Sequence, residues 1–248
     1  MAELRDEILF KQPESTHKGD CPICCLPLSL DPQKSMMMAC CSKVVCRGCA
    51  HANRVREVEM RLDPTCPFCR HPTPESENEF ALIGMKRIEV NDPAALREKG
   101  LQLCQDGCRD YKSAFEYFSS AAGLGDVEAH YHLSTMYREG RGVEKDLKRE
   151  CHHLEHAAIA GHPLARYNLG VNESRNKKIA RAVKHWIIAA NLGGDESMRA
   201  LKECYRRGLI SKAEFAASHR AHQAAIDTRR SPQREAAETD RYHHFSLS

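Results

Sequence analysis

Nine of the chain's thirteen cysteines fall within the 49 residues from Cys21 to Cys69. Three Cys-x2-Cys pairs stand there, Cys21/Cys24, Cys46/Cys49 and Cys66/Cys69, with the adjacent pair Cys40–Cys41 between the first two. Random placement would give about 0.7 such spaced pairs in the whole chain, so the grouping is a signal. A Cys-x2-Cys turn aims two thiolates at one point, and two turns complete the tetrahedron that a Zn²⁺ ion prefers, with sulfurs about 2.3 Å from the metal. Four pairs supply eight ligands, enough for two ions. A four-thiolate site has no open position, so its metal is expected to hold structure rather than to activate water. Disulfides are the competing use of cysteine. The start, "MAELRDEILFKQPEST", alternates charged and apolar residues and lacks the apolar core of a signal peptide. A cytoplasmic or nuclear setting is therefore expected, reducing in either case, where structural disulfides are rare.

Which pairs share an ion is not fixed by counting. Cys41 could act alone as third ligand with Lys43 in the next position, but an ammonium has no lone pair to give. Cys40 and Cys41 together are the preferred choice, with Cys25 and His51 as the remaining candidates. Cys25 otherwise reads as a spare thiol beside its knuckle. Some ~50 residues cannot bury enough apolar surface to fold alone, which makes the metal a folding element.

The elements that must position these ligands are short, whereas the rest of the chain is helical. The organisation reads as a lead-in (1–17), the cysteine block (18–73), a linker and helix (74–91), a helical array (92–225) and a disordered tail (226–248). Apolar residues recur at helical spacing from about 80 to 226, with prolines there only at the expected helix starts Pro93 and Pro163. The array repeats itself: Ala-Ala pairs begin at 121, 157 and 189, spaced by 36 and 32 residues, and each is followed by a glycine (Gly125, Gly161, Gly193). A period of this size with two helices per unit marks an α-solenoid. The glycine is expected to end each first helix in a left-handed conformation. Trp186, the single tryptophan, falls on a large apolar position and reads as core. Cys104 and Cys108 read as buried packing, and "CHHLEH" (151–156) as exposed helix histidines. Ser231-Pro232, flanked by arginines, is a candidate phosphorylation site.

Composition excludes several classes. A net charge of +3 with 6% aromatic residues gives neither a basic surface nor stacking platforms for nucleic acid. No run approaches the ~20 apolar residues of a membrane helix. No constellation for small-molecule catalysis is present.

The order Cys21-x2-Cys24-x15-Cys40-Cys41-x4-Cys46-x2-Cys49-x16-Cys66-x2-Cys69 resembles the RING finger in its all-cysteine variant. The resemblance implies a small zinc-stabilised α+β fold with a cross-brace: Cys21, Cys24, Cys46 and Cys49 on one zinc, Cys40, Cys41, Cys66 and Cys69 on the other. The departure is that the usual third and fourth ligands are not adjacent. It also implies an E3 ubiquitin ligase that binds a ubiquitin-charged E2 and needs no nucleophile of its own. Ile23 and Pro67 match the positions that touch the E2. Arg70 matches the arginine that bridges E2 and ubiquitin. The helix after the second knuckle usually carries a bulky apolar residue where Asn53 stands, which argues for a weaker E2 contact. Val55, Val58 and Leu62 on that helix are expected to face its own core.

"DVEAHYHLSTMYREGRGVEKD…HLEHAAIAG" and "HPLARYNLG" resemble Sel1-like repeats, relatives of the tetratricopeptide class, as about four units over 92–225. The end units put Lys99 and Lys202 where the family prefers leucine. The combination of modules resembles the RING/Sel1-repeat proteins abundant in diatoms. It implies a ligase whose solenoid recruits a protein substrate, or else a non-catalytic adaptor in which zinc is purely structural.

Overall fold

The structure is a computed structural model that describes residues 2–105 and 109–245. Cys108, read with Cys104 as buried packing, lies outside the described residues, and Cys104 is half-buried. Along the chain run α1 (Ala2–Leu9), strands β1 (Ser35–Met37) and β2 (Val44–Cys46), then α2 (Arg47–Glu59), α3 (Glu77–Glu89) and α4 (Pro93–Cys104). The helices α5 (Tyr111–Gly123), α6 (Val127–Glu139), α7 (Leu147–Ile159), α8 (Pro163–Arg175), α9 (Ile179–Asn191) and α10 (Asp195–Arg206) follow. The chain closes with α11 (Lys212–Asp227) and α12 (Pro232–Phe245). Two compact units result. One joins the chain up to His17 with Leu96–Ile226; the other joins Lys18–Ala95 with the chain from Asp227 onward.

In the cysteine-bearing unit, β1 and β2 form an antiparallel hairpin with Met36 opposite Val45. Its apolar core is small: Leu28, Val45 and the thiols Cys21, Cys46 and Cys49. The expected linker helix is present as α3, capped by the Ser76 hydroxyl, which accepts from the Glu79 N–H. The tail is a correction. Expected without structure, it folds as α12, which packs on α2. The approach is close because α2 has glycine at position 48; a Cβ there would stand 2.9 Å from Arg234 Cα and N.

The repeat unit stacks helix pairs, α5/α6, α7/α8 and α9/α10. The Ala-Ala pairs explain the register. Their six side chains are buried, and their carbonyls accept the bonds that close each helix. Gly125, Gly161 and Gly193 donate to Ala122, Ala158 and Ala190 (2.9, 3.1 and 2.8 Å), and the next residue donates to Ala121, Ala157 and Ala189 (3.0, 3.0 and 2.9 Å). This is the paired closure of a Schellman motif, which needs a residue at positive φ. The three glycines have φ of +89°, +84° and +81°. The residue after each glycine is the N-cap of the next helix: Asp126 accepts from the Ala129 N–H at 2.8 Å and His162 from the Ala165 N–H at 3.2 Å, whereas Gly194 offers no side chain. Trp186 is buried in the last core layer with Val183, Leu201, Cys204 and Ile210.

Candidate metal centres

Both outer knuckles are built alike. In the first, the Cys25 N–H donates to the Cys21 carbonyl (2.9 Å) and the Cys21 N–H to the Leu26 carbonyl (2.9 Å). In the second, Arg70 N–H donates to Cys66 (3.0 Å) and Cys66 N–H to His71 (2.8 Å). The bend puts Cys25 and Arg70 at positive φ, +55° and +63°. Isolated bridges Asp20↔Pro27 and Thr65↔Pro72 close the two loops. The third pair sits where β2 enters α2: Cys46 is the N-cap, and its sulfur accepts from the Cys49 N–H at 3.4 Å.

Cys40 and Cys41 occupy the turn of the hairpin. In an extended strand adjacent side chains point to opposite faces. Here Met38 accepts from the N–H groups of Cys41 (3.3 Å) and Ser42 (2.7 Å), and the tight turn lets both thiols converge.

Two groups of four thiols result. Cys21, Cys24, Cys46 and Cys49 have sulfurs within 4.8 Å of one another, as do Cys40, Cys41, Cys66 and Cys69. Cys24 and Cys46 sulfurs are 3.8 Å apart, Cys40 and Cys69 3.3 Å, and Cys41 and Cys66 4.0 Å. A tetrahedron with bonds of about 2.3 Å sets its sulfurs about 3.8 Å apart, so each group can hold one ion. The groups interleave along the chain, first with third knuckle and hairpin turn with last. Neither Cys25, which is exposed, nor His51 joins them.

Burial and crowding set the acidity of these thiols. Burial, then neighbouring thiols, push up Cys40 and Cys49, and burial is the leading cause at Cys41 and Cys46 too. At Cys24 burial acts the same way, but the Leu26 N–H and the Arg234 guanidinium outweigh it and bring the thiol down to about 7. Cys69 also settles at about 7, where burial is outweighed by the His71 N–H and neighbouring thiols. Four thiolates so crowded ionise together only around a metal.

Arg234 was not legible as a site residue. Reaching in from α12, its Nη2 donates to Cys24 Sγ (3.4 Å) and the Leu26 carbonyl (3.1 Å), while Nη1 donates to the Pro27 carbonyl (2.7 Å). Ser231 caps this helix, its hydroxyl accepting from the Arg234 N–H at 3.3 Å.

Ile23 is 41% exposed, Arg70 is exposed and Pro67 half-buried. Arg70 Nη1 donates to Asn53 Oδ1 at 2.8 Å. Asn53 Nδ2 donates in turn to Glu57 Oε1 (2.7 Å) and the Thr65 carbonyl (3.2 Å). Buried Glu57 also accepts from Thr65 N–H (3.0 Å) and Oγ1 (2.8 Å), and these bonds, against burial, keep its carboxyl below the usual range. Asn53 therefore ties α2 to the last knuckle. Val55, Val58 and Leu62 do not form a core face; Val58 is 72% exposed and the other two are exposed as well. The buried face of α2 is taken by Gly48, Cys49 and Glu57. Val58 and Leu62 instead line a cavity of about 870 Å³ with Met36, Asn53, Pro67 and Phe80.

A third group, His17, Glu128 and His162, lies in the repeat unit. Glu128 Oε1 is 2.8 Å from His17 Nε2, and Oε2 is 3.3 Å from His162 Nε2. His162 Nδ1 accepts the Ala165 N–H, so Nε2 carries the proton and faces the carboxylate without a lone pair. That arrangement fits a hydrogen-bonded clasp on the carboxylate rather than a metal. Burial would raise Glu128, but the bonds from His162 and His17 prevail and hold it far below the usual carboxylate range. Of "CHHLEH", His152 and His156 are exposed, whereas His153 is half-buried with its Nδ1 2.9 Å from His130 Nδ1.

Comparison with known proteins defines the helical part. The Sel1 repeat family matches residues 102–126, 127–162 and 163–194, so the chain carries three Sel1 repeats; most of α4 and all of α10 lie outside the match. A crystal structure of a Sel1 repeat protein from Oxalobacter formigenes has a TM-score of 0.50 and 25% identity, covering 65% of this chain and 66% of that one. The c5321 protective antigen of uropathogenic Escherichia coli, which displays an SLR fold, has a TM-score of 0.50 and 17% identity over 59% of this chain and 33% of that one. Among curated proteins, the chain is 26% identical over 170 residues to DAP3-binding cell death enhancer 1 of Mus musculus, 52% of this chain. It is 37% identical over 68 residues, 27% of this chain, to the ERAD-associated E3 ubiquitin-protein ligase component HRD3B of Arabidopsis thaliana. The chain spans 33% and 11% of these two relatives. Among the described residues no helix is long and apolar enough to cross a membrane.

Proposed function

We propose that the chain is a zinc-dependent RING-type E3 ubiquitin ligase whose Sel1 repeats recruit the protein to be modified. The observation that carries this reading is the interleaving of two four-thiol groups, first with third knuckle and hairpin turn with last. Two structural Zn²⁺ ions would fix both long loops and so hold Ile23 and Pro67 in position to meet an E2. Arg70, exposed beside the last ligand pair, would brace the E2-bound ubiquitin through its planar set of donors. The naming of a curated relative as an E3 ligase component supports a place in ubiquitin chemistry.

One observation favours an adaptor instead. Arg70 is already engaged by Asn53, which also joins α2 to the last knuckle. With Nη1 held by Asn53, the exposed guanidinium has fewer donors left to bridge two partners. An autoubiquitination assay on the zinc-loaded chain with a panel of E2s decides between the two. Chains that form with the native sequence and fade in both Ile23→Ala and Arg70→Ala support the ligase. No chains with any E2, from folded protein that native mass spectrometry shows to hold two zinc ions, support the adaptor.

A further inference from the structure

The chain up to His17 lies along the repeats of its own unit. Leu9, 4% exposed, sits among Leu154, Ala157, Ala158, Ala165 and Leu169. The Phe10 ring packs against His185 at 4.6 Å, beneath the Arg181 guanidinium (4.8 Å) and the Lys184 ammonium (5.3 Å). Asp6 pairs with Arg181. Farther on, Asn191 Nδ2 donates to Gln12 Oε1 at 3.1 Å, and the His17 N–H donates to the Gly161 carbonyl at 3.2 Å.

This occupant leaves its site poorly satisfied. Arg166 on α8 is 0% exposed, yet among the described residues it has no ion pair with a carboxylate. Its Nη1 donates to the Leu9 carbonyl, its Nη2 to the Ala158 carbonyl at 2.7 Å, and its Nε has no partner. His185 Nδ1, Thr16 Oγ1 and His17 Nδ1, all on or under the same segment, are likewise buried without partners. Buried polar atoms in a permanent interior are nearly always paired, and a buried guanidinium calls for a carboxylate. Arg181 is answered twice, by Asp6 and by Glu173 Oε1 (2.7 Å), and Lys184 is exposed, so among the described residues the cation of this face left without a carboxylate is Arg166.

We propose that this face of α7–α9 is a binding site for the C-terminal segment of a partner protein, its terminal carboxylate on Arg166, and that residues 6–12 are an internal occupant it displaces. A chain that ended where Leu9 stands would turn the carbonyl already accepting from Arg166 into a carboxylate. Its last side chain would take the Leu9 pocket, and an acid three residues earlier would take the place of Asp6 on Arg181. The selected chemistry is thus acidic–x–x–apolar–COO⁻. The proposal rests on the repeats being the part that recruits a partner; it does not require the chain to be a ligase.

The test uses the fluorescently labelled octapeptide AELRDEIL, as free acid and as C-terminal amide, titrated by anisotropy against the full chain and its Leu9→Ala/Phe10→Ala variant. A tethered occupant competes at an effective concentration in the millimolar range, so the variant should bind the free acid at least tenfold tighter than the unsubstituted chain does. In the variant the acid should exceed the amide by at least tenfold. Acid and amide binding alike would overturn the Arg166 assignment while leaving a binding face on the repeats. No binding of either to a variant still helical by circular dichroism would overturn the face itself. Should that variant not fold, hydrogen exchange in the unsubstituted chain decides: the acid at high concentration must speed exchange of the amides from Leu9 to Gln12 and the amide must not, and equal effects refute the proposal.

Discussion

Gly170 lies inside α8 directly against the only tryptophan, and replacing it with alanine sets two effects of known sign against each other. In a helix interior alanine is favoured over glycine by about 1 kcal/mol. The added methyl, however, would stand 2.4 Å from Trp186 Nε1, 2.7 Å from Cδ1 and 2.9 Å from Cε2. Real carbon atoms do not approach so closely, so the indole must move. It is confined by Val183, Leu201, Cys204 and Ile210, and its N–H donates to the Tyr167 carbonyl at 3.3 Å. Overpacking of this kind costs about 1–3 kcal/mol, and the displaced N–H loses a bond worth about 0.5–1.5 kcal/mol. The contact outweighs the helix preference, and Gly170→Ala should destabilise the repeats by about 1–2 kcal/mol. Urea unfolding followed by tryptophan fluorescence reads this directly, since Trp186 reports alone and its own emission should shift as the ring is pushed from its place. The cause is isolated in a Trp186→Phe background, read by far-ultraviolet circular dichroism because that chain has no tryptophan; the smaller ring makes room there and the same substitution should become neutral or stabilising. An unchanged or raised midpoint for Gly170→Ala with the native tryptophan would refute the packing argument.

Two other outcomes are expected. Chelation of metal from the zinc-loaded chain should melt the unit containing β1, β2 and α2 while Trp186 emission stays unchanged; of single variants, Cys41→Ser should lower the zinc count from two to one by native mass spectrometry, and Cys25→Ser should leave it at two. The repeats should lose stability on mild acidification. Burial depresses His185 to about 3 and His132 to about 4, so below the ordinary 6.5 the unfolded chain binds protons that the folded chain refuses, and folding weakens as pH falls. At up to about 1.4 kcal/mol per group per pH unit, the loss between pH 6 and 4.5 should be roughly 2–4 kcal/mol. Glu128, held low by its two histidines, adds to it once the pH passes below the ordinary carboxylate range near 4.5. Denaturation midpoints that stay flat from pH 7 to 4.5 would contradict the assignment of these histidines as buried and neutral.

What could be read from the sequence follows how local each cause is. The Ala-Ala and Gly register was legible because one closure repeats three times within six residues: the carbonyls of the pair, the glycine at positive φ and the cap that follows. The cysteine spacings were legible for the same reason, each outer knuckle being a turn of five residues closed on itself and the middle pair a helix cap. Even α12 left a local trace that low apolar content obscured, with Ser231 before a proline at the first helical position. Val55, Val58 and Leu62 misled because their spacing says only that one stripe of α2 is apolar. The stripe lost its place in the core to Cys49, which joins the first four-thiol group, and to Glu57, which three donors satisfy. Arg234 and Arg166 lay beyond any local rule. Each is a cation brought by chain reversal to backbone carbonyls far off in sequence, Pro27 for one and Leu9 for the other, and no motif of spacing encodes that. They differ in what the fold gives them: Arg234 meets a thiol that can carry negative charge, whereas Arg166 meets only carbonyls. The same residue type meets a group that can carry charge in one unit and only carbonyl dipoles in the other, and a buried cation without a counter-charge is the more informative of the two, because a carboxylate placed there would offset a cost the carbonyls leave.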